Sequence, residues 1–546
     1  MIRRRSAGLR WAVTAGAAAA ALAIFSVSSA AAWLTTTDLS ATGQDAELPV
    51  VATGADGTTA VVWTRSDGTN DLIQVAIRAP GESTFGAPKT LTQTGLNADS
   101  PDIDVADDGT VTVVWARDNG SDDIVQVSTR EAGSSSFSAP VDLSAAGENS
   151  GFAQVESSAD GTTTVSWIRN GPSSTLVQAA TRQAGRDDFS SPVTLASTGS
   201  PFFPSLAVGD DGTTVIAWNE NLFFGGAIRA SIREAGSNNF SVPIELTPAG
   251  ALAAAPQAAI GPDGQVTVVF LRDPGPELIV QEVTSATGSG TFSAPVDLTA
   301  TGQNAQTPDV AIAPDGSTTV VFARSEGGNV LAQARTRSAS ESVFGAPVLL
   351  SADGQDASNT RVAIGEDGSS TVVWLRSNGT NLVVQAATRA AGGSTFSSPA
   401  DLSAAGQSAG PPSVSGGPCD SYSTVVWARS NGTNQVVQQA SEATAVCEPN
   451  LASLKVKGPA KVKRKKKTIY KVTITNNGDG AATGLRLKAQ GRGVSASKTA
   501  GQIAAGTGKT VKIALRFKKK GKAKVAFTLT SANATKKVAR KTVRVR

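Results

Sequence analysis

The chain has 546 residues, with 49 Lys+Arg against 45 Asp+Glu, 55 Gly, two Cys, one Met and no His. Without histidine there is no Ser-His-Asp or Cys-His nucleophile and no His-ligated metal, and two cysteines are too few for a zinc or iron–sulfur site, so no metal or cofactor is expected. The length exceeds what one core usually supports, and 40% hydrophobic with 17% charged residues marks a globular chain of two or more domains.

Residues 1–32 have the pattern of a secretory signal: Arg3, Arg4 and Arg5, an apolar stretch from Trp11 to Val27, and Ala30-Ala31-Ala32 as an A-x-A cleavage site. An uncleaved anchor is the alternative, but the stretch is Ala-rich and short of the ~20 strongly apolar residues a span prefers. No second apolar segment follows. The mature chain is therefore expected outside the cell, in solution or on the envelope, with no transmembrane segment. That oxidising compartment makes Cys419 and Cys447 a candidate disulfide.

From residue 33 to 449 the chain repeats. Trp63, Trp115, Trp167, Trp218, Phe270, Phe322, Trp374 and Trp427 recur every 51 to 53 residues, each ending a β-branched run. Seven of these runs follow an Asp-Gly pair, such as Asp56-Gly57 or Asp367-Gly368, which suits a tight hairpin turn. One unit read in full predicts four short strands: Arg361 to Ile364, Ser370 to Arg376, Leu382 to Arg389 and Pro399 to Ser403. Four antiparallel strands repeated eight times describe an eight-bladed β-propeller, with the recurring aromatic packed between blades. The last unit lacks its fourth strand, and Asp38-Leu39-Ser40-Ala41-Thr42-Gly43-Gln44 matches Asp401-Leu402-Ser403-Ala404-Ala405-Gly406-Gln407. The N-terminal segment is thus expected to complete the last blade, with the disulfide stapling it.

Residues 450–546 are different in kind. Residues 33–450 carry 18 Lys+Arg and 44 Asp+Glu, whereas residues 451–546 carry 27 Lys+Arg and one acid, Asp479. Alternation is regular there: Val511, Ile513, Leu515 and Phe517 fall on one face, Lys512, Arg516 and Lys518 on the other. About seven such strands predict an Ig-like β-sandwich, making the whole chain all-β.

The run Tyr470-Lys471-Val472-Thr473-Ile474-Thr475-Asn476-Asn477-Gly478, continuing to Leu485, resembles the hairpin of CARDB-type, cell-adhesion-related Ig-like domains. That resemblance implies a non-catalytic module for display or attachment and supplies no site residues. The repeat is similar to secreted propellers of the sialidase-like superfamily. It lacks their Asp-box, because the turn glycine lies six residues before the aromatic. A sialidase-type site would need a tyrosine nucleophile and three clustered arginines. Only Tyr422 and Tyr470 are present, and Arg65, Arg117, Arg169, Arg272, Arg324, Arg376 and Arg429 recur once per unit, a structural or ring-wide pattern. A two-carboxylate glycosidase stays open, although nothing singles out a pair.

First strands of a propeller line its channel, and at the position of Arg361 the other units carry Val50, Asp102, Gln154, Ser205, Gln257, Asp309 and Ser413. Variation at an axial position suits a specific site. Asp102, Asp104, Gln154, Glu156, Asp309 and Arg361 form the candidate ligand-binding constellation, near the rim of loops such as Ser430 to Asn434, with a water-filled polar channel as the plain alternative. The fourth unit breaks pattern at Phe223-Phe224, which could grip a partner or tuck under a loop. The expected function is a secreted bacterial binding or adhesion protein without catalysis. Its propeller presents loops to a glycan or another protein, and its basic domain attaches to anionic cell-envelope polymers, with nucleic acid not expected because the chain is exported. The alternative is an extracellular polysaccharide-active glycosidase or lyase.

Overall fold

The computed structural model describes residues 33–546 except 172–173, 197–198, 222–225, 249, 286–289, 419–421, 444–450, 477–481, 504–507 and 532–533. The expected signal, both cysteines and Phe223-Phe224 lie outside the described residues. Among those described, every regular element is a strand.

The 52-residue period becomes a series of four-stranded antiparallel sheets, eight of them among the described residues, in a β-propeller arrangement. Seven sheets are built from consecutive strands, as in Ala357–Ile364, Ser370–Ser377, Leu382–Arg389 and Ala400–Asp401. The eighth uses Ser413–Ser415, Tyr422–Ser430 and Gln435–Ala443, and its fourth strand is Thr37–Asp38 from the other end of the chain. Thr37 pairs with Gln439 and Asp38 with Gln438. The seam continues as Leu39 N–H donates to Val437 O at 2.8 Å and Val437 N–H to Ser40 Oγ at 2.9 Å.

A four-stranded sheet has two apolar faces and no way to cover both, so the sheets cover one another. The six tryptophans and two phenylalanines of the repeat are buried to within 1% exposure. They sit in apolar clusters that each join two neighbouring sheets: Trp167 packs with Val114 and Val125, and Trp427 with Val373 and Val384. The series is circular, because Trp63 of the first sheet packs with Val426 and Val437 of the last.

A second inter-sheet device was not apparent from the sequence. Five arginines ending third strands, Arg78, Arg182, Arg233, Arg337 and Arg389, are buried and turn onto a phenylalanine of their own unit, as Arg78 over Phe85 at 5.0 Å and Arg337 over Phe344 at 4.6 Å. Their remaining N–H groups reach the preceding sheet. Arg78 donates to Ser441 Oγ at 2.9 Å and Thr424 Oγ1 at 2.8 Å, across the seam, and Arg389 to Thr319 Oγ1 at 3.0 Å. Burial pulls the Arg78 guanidinium down to about 10.

The first strands begin earlier than their alternation suggests. The strand expected from Arg361 starts at Ala357, and a bulge separates the two parts, with the register slipping between Ser358 and Arg361. The same slip recurs in the other six consecutive sheets. The bulged residue has φ near +50° in each: Leu48, Ser100, Phe152, Phe203, Ala255, Thr307 and Asn359. None is glycine, so each costs about 1–2 kcal/mol of backbone strain. The turn glycines, by contrast, sit where φ is positive at no such cost, as Gly57 at +91°, with Asp56 Oδ1 accepting the Thr58 N–H at 2.7 Å.

Residues 451–546 form two further sheets on one core. Leu451–Lys457, Lys467–Asn476 and Gly508–Arg516 make a three-stranded sheet. Lys461–Val462, Lys537–Val545, Gly521–Thr530, Ala482–Gly491 and Val494–Ile503 make a five-stranded one, with Lys461–Val462 running parallel to its neighbour. Tyr470, Val472, Ile513 and Leu515 face Leu487, Val525, Phe527 and Leu529 across the core, while the lysines between them face solvent. Tyr470 Oη donates to Pro459 O at 2.8 Å, which satisfies the hydroxyl of an otherwise buried ring.

Candidate functional site

Each first strand is the inner edge of its sheet, and an edge leaves N–H groups unpaired. The axial side chains fill that need in the neighbouring sheet. Asp102 Oδ2 accepts the Val155 N–H at 2.9 Å, Gln154 Oε1 that of Leu206 at 2.9 Å, and Ser205 Oγ that of Ala258 at 3.0 Å. Asp309 Oδ2 accepts from Val362 at 2.9 Å, and Ser413 Oγ from Val51 at 3.3 Å. Aspartate, glutamine and serine thus make the same bond. Their variety, taken from sequence as the mark of a ligand site, is in these sheets compatible with one repeated structural task.

The carboxylates one layer along the strand are used similarly. Glu156 Oε2 accepts the Val208 N–H at 2.8 Å, and Asp104 is hydrogen-bonded to Ser157. With no cation beside them these acids hold their protons unusually well. Burial, then the neighbouring Asp104 and Asp102, pushes Glu156 up to about 8. Burial also raises Asp102 to about 7 and Asp104 to about 6. Burial raises Asp309 as well, and there the Arg361 charge opposes it.

At the bulge end the channel opens into a cavity of about 540 Å³. Asp102, Gln154, Asp309 and Arg361 all line it, so four of the six candidates converge, whereas Asp104 and Glu156 are not part of its wall. Arg361 is exposed, with Nη1 donating to Thr360 O at 3.1 Å, and its charge reaches Asp309. Across the cavity stand residues that the sequence did not single out. Phe152 and Phe203, both bulged, are 48% and 44% exposed and line it together with Leu48 and Ser100. Phe202 holds them edge-on, with ring centroids 4.9 Å from Phe152 and 4.6 Å from Phe203. The signal that marks these positions is the proline one residue on in five units, Pro49, Pro101, Pro204, Pro256 and Pro308.

The other residues weighed from sequence fall into structural places. Arg117 donates to Gln93 O at 3.0 Å, Arg324 to Ala300 O at 3.2 Å, and Arg65 to Ala41 O, so these three of the once-per-unit arginines hold the loop that leads into their own sheet, and Arg169 pairs with Glu148 at 2.7 Å. Tyr422 opens a second strand at the opposite end of the sheet from the cavity, with Arg78 4.9 Å over its ring. The rim loop Ser430 to Asn434 is a hairpin turn, as Asn431 Oδ1 accepts the N–H groups of Thr433 and Asn434. At the turn end, Asp210 and Glu366 line a smaller cavity of about 200 Å³, and burial with the charges of Asp107 and Asp210 lifts Glu366 to about 7. Among the described residues no three acidic, His or Cys side chains are placed to hold a metal ion.

No family model matches the chain, and no curated protein matches it. Among solved structures, an ulvan lyase of polysaccharide lyase family PL25 is 10% identical over 61% of this chain and 89% of its own, with a TM-score of 0.43. A variant of the NanB sialidase from Streptococcus pneumoniae is 11% identical over 63% of this chain and 67% of its own, with a TM-score of 0.36. A CARDB domain from Pyrococcus furiosus is 20% identical over 18% of this chain and 90% of its own, with a TM-score of 0.16. These likenesses concern the course of the chain, and the named activities belong to those proteins.

Proposed function

We propose that the eight sheets are the blades of one closed eight-bladed propeller that binds an extracellular glycan at its bulge-end mouth, without turning it over. Residues 450–546 are the companion Ig-like module, which holds the exported protein to anionic polymers of the cell envelope. The observation that carries the reading is the pairing of Phe152 and Phe203 with Arg361 and Asp309 around one cavity. Exposed aromatic faces suit the C–H face of a pyranose, a guanidinium suits a carboxylate or sulfate on the sugar, and a carboxylate accepts from hydroxyls. A site of this volume with few polar groups is the usual form of a small-ligand pocket. In support of binding rather than chemistry, the axial carboxylates are already engaged by backbone N–H groups of the next sheet.

A second reading, a glycan-cleaving enzyme, draws on one residue and is the direction in which the neighbours' names point. Asp102 lies in the cavity wall with its carboxyl pushed up to about 7, the range of a general acid. One screen separates the two. Acidic and neutral oligosaccharides are titrated into the protein and the mixtures assayed for new reducing ends or unsaturated sugars. Binding without turnover, weakened at least about tenfold by Phe203→Ala and by Arg361→Gln, is expected. Turnover that disappears in Asp102→Asn establishes the second reading instead. Binding indifferent to Phe203 and Arg361 removes the mouth from both.

A further inference from the structure

The register of the C-terminal sandwich sets its cations in rows rather than scattering them. On the three-stranded sheet, Lys457 pairs with Lys471 and Lys471 with Lys512, so three lysines stand side by side on adjacent strands. Strands in a sheet are about 4.8 Å apart, and like charges directly opposite one another repel. On the five-stranded sheet, Lys461 pairs with Arg544 and Arg544 with Lys522, a second row of three. All six are exposed, and the residues alternating with them, such as Val462, Val472, Ile513, Ala523 and Val545, are buried in the shared core. The two rows therefore lie on opposite outer faces of one sandwich.

No described residue of these two sheets neutralises them. The only acid of residues 451–546 is Asp479, outside the described residues, and no ion pair is formed here among the described ones. Rows of unpaired like charge call for counter-charge from outside, spaced closely enough to meet neighbouring strands. A bilayer surface is flat and meets one face at a time. A flexible linear polymer reaches both.

We infer that the C-terminal sandwich binds linear polyanions with closely spaced oxyanion groups on both outer faces at once, through Lys457, Lys471 and Lys512 on one and Lys461, Lys522 and Arg544 on the other, so that a single protein bridges two polymer segments. This rests on the proposal that the basic module attaches to anionic polymers, and adds where they bind and how many. Phosphodiester and sulfate polymers share the required chemistry.

The test uses the full secreted chain and two probes, long-chain inorganic polyphosphate and heparin, with anionic phospholipid vesicles as a third arm. Each face is neutralised by a triple substitution, Lys457, Lys471 and Lys512→Gln or Lys461, Lys522 and Arg544→Gln, and a sextuple variant removes both. Each triple variant is expected to bind at least one polymer about tenfold more weakly at low salt. Each should also reduce the slope of log K against log salt by about two to three, roughly one per lost ionic contact. Light scattering from cross-linked polymer, present with the parent chain, should vanish in either triple variant while binding persists. The probe bound more tightly identifies phosphate or sulfate as the preferred group. If one triple variant loses all binding and the other none, or if cross-linking survives either, the two-faced site is overturned while attachment stands. Vesicle binding without polymer binding overturns it in favour of a membrane surface. If the parent chain binds neither polymer in a salt-sensitive way, the attachment reading falls with it. Unchanged thermal midpoints of the variants show that the losses are not unfolding.

Discussion

The propeller and the sandwich handle charge in opposite ways, though both are built only from strands. The propeller carries 44 acids, and most of the charged groups named at its axis and seams are spent inside: Asp102, Asp309 and Glu156 on the edges of neighbouring sheets, Arg78 and Arg389 on hydroxyls of the sheet before, with Arg361 the exposed exception. The sandwich has 27 cations and sets six of them, Lys457, Lys471, Lys512, Lys461, Arg544 and Lys522, in two exposed rows, with no ion pair at those six among the described residues. A charge count says little about function until one asks which backbone groups claim the charges. Where inner strands leave N–H groups open, polar side chains become structure. Where two sheets simply close on a core, the outer charges are free to meet something else.

Four perturbations sharpen that contrast, in descending order of expected effect. Arg337 faces a carboxylate in the preceding sheet where its counterparts face hydroxyls, with Nη1 3.1 Å from both oxygens of Glu282 and both side chains nearly buried. Arg337→Ala strands that carboxylate and should cost about 3–5 kcal/mol in chemical denaturation. Arg337→Ala with Glu282→Gln should recover part of it. Asp309→Ala orphans the Val362 N–H and should cost about 1–3 kcal/mol, whereas Asp309→Asn keeps an acceptor and should cost less than half as much.

The third concerns pH. Asp102, Asp104 and Glu156 hold protons in the folded state above the usual carboxylate range, so the unfolded chain releases them first. The stability they contribute is full below about pH 4 and is lost as pH rises towards about 8. The thermal midpoint of the propeller should fall over that window, and Glu156→Gln should flatten the fall. A midpoint that rises with pH in the parent and not in the variant contradicts the assignment. The smallest effect belongs to the sandwich: Lys471→Gln should leave stability within about 0.5 kcal/mol, tending to raise it because two like-charged neighbours are relieved.

Much of the architecture was legible because it rests on local signals repeated at fixed intervals. The aromatic every 52 residues, the Asp-Gly turns and the match between residues 38–44 and 401–407 are visible one residue at a time, and the strand pairing of Thr37 and Asp38 follows them. The alternation from Val511 to Phe517 was equally plain, since a face buried in a sandwich must repeat every second residue. The bulges were faint in the sequence, because no glycine stands at Phe152 or Phe203 to announce a positive φ and the proline that follows the bulge in five units is replaced by Ala153 after Phe152. The two phenylalanines that furnish the mouth were missed for that reason. The duty of Asp102 was hidden differently: its partner, the Val155 N–H, lies 53 residues away in the chain, and an acceptor bond to backbone leaves no mark on the partner's identity.

The most direct test is a crystal structure of the protein grown with an acidic oligosaccharide selected by titration. A sugar ring against Phe152 and Phe203 with its anionic group on Arg361 is the predicted result. A ligand seated elsewhere, or a cleaved one beside Asp102, contradicts a mouth built for binding alone.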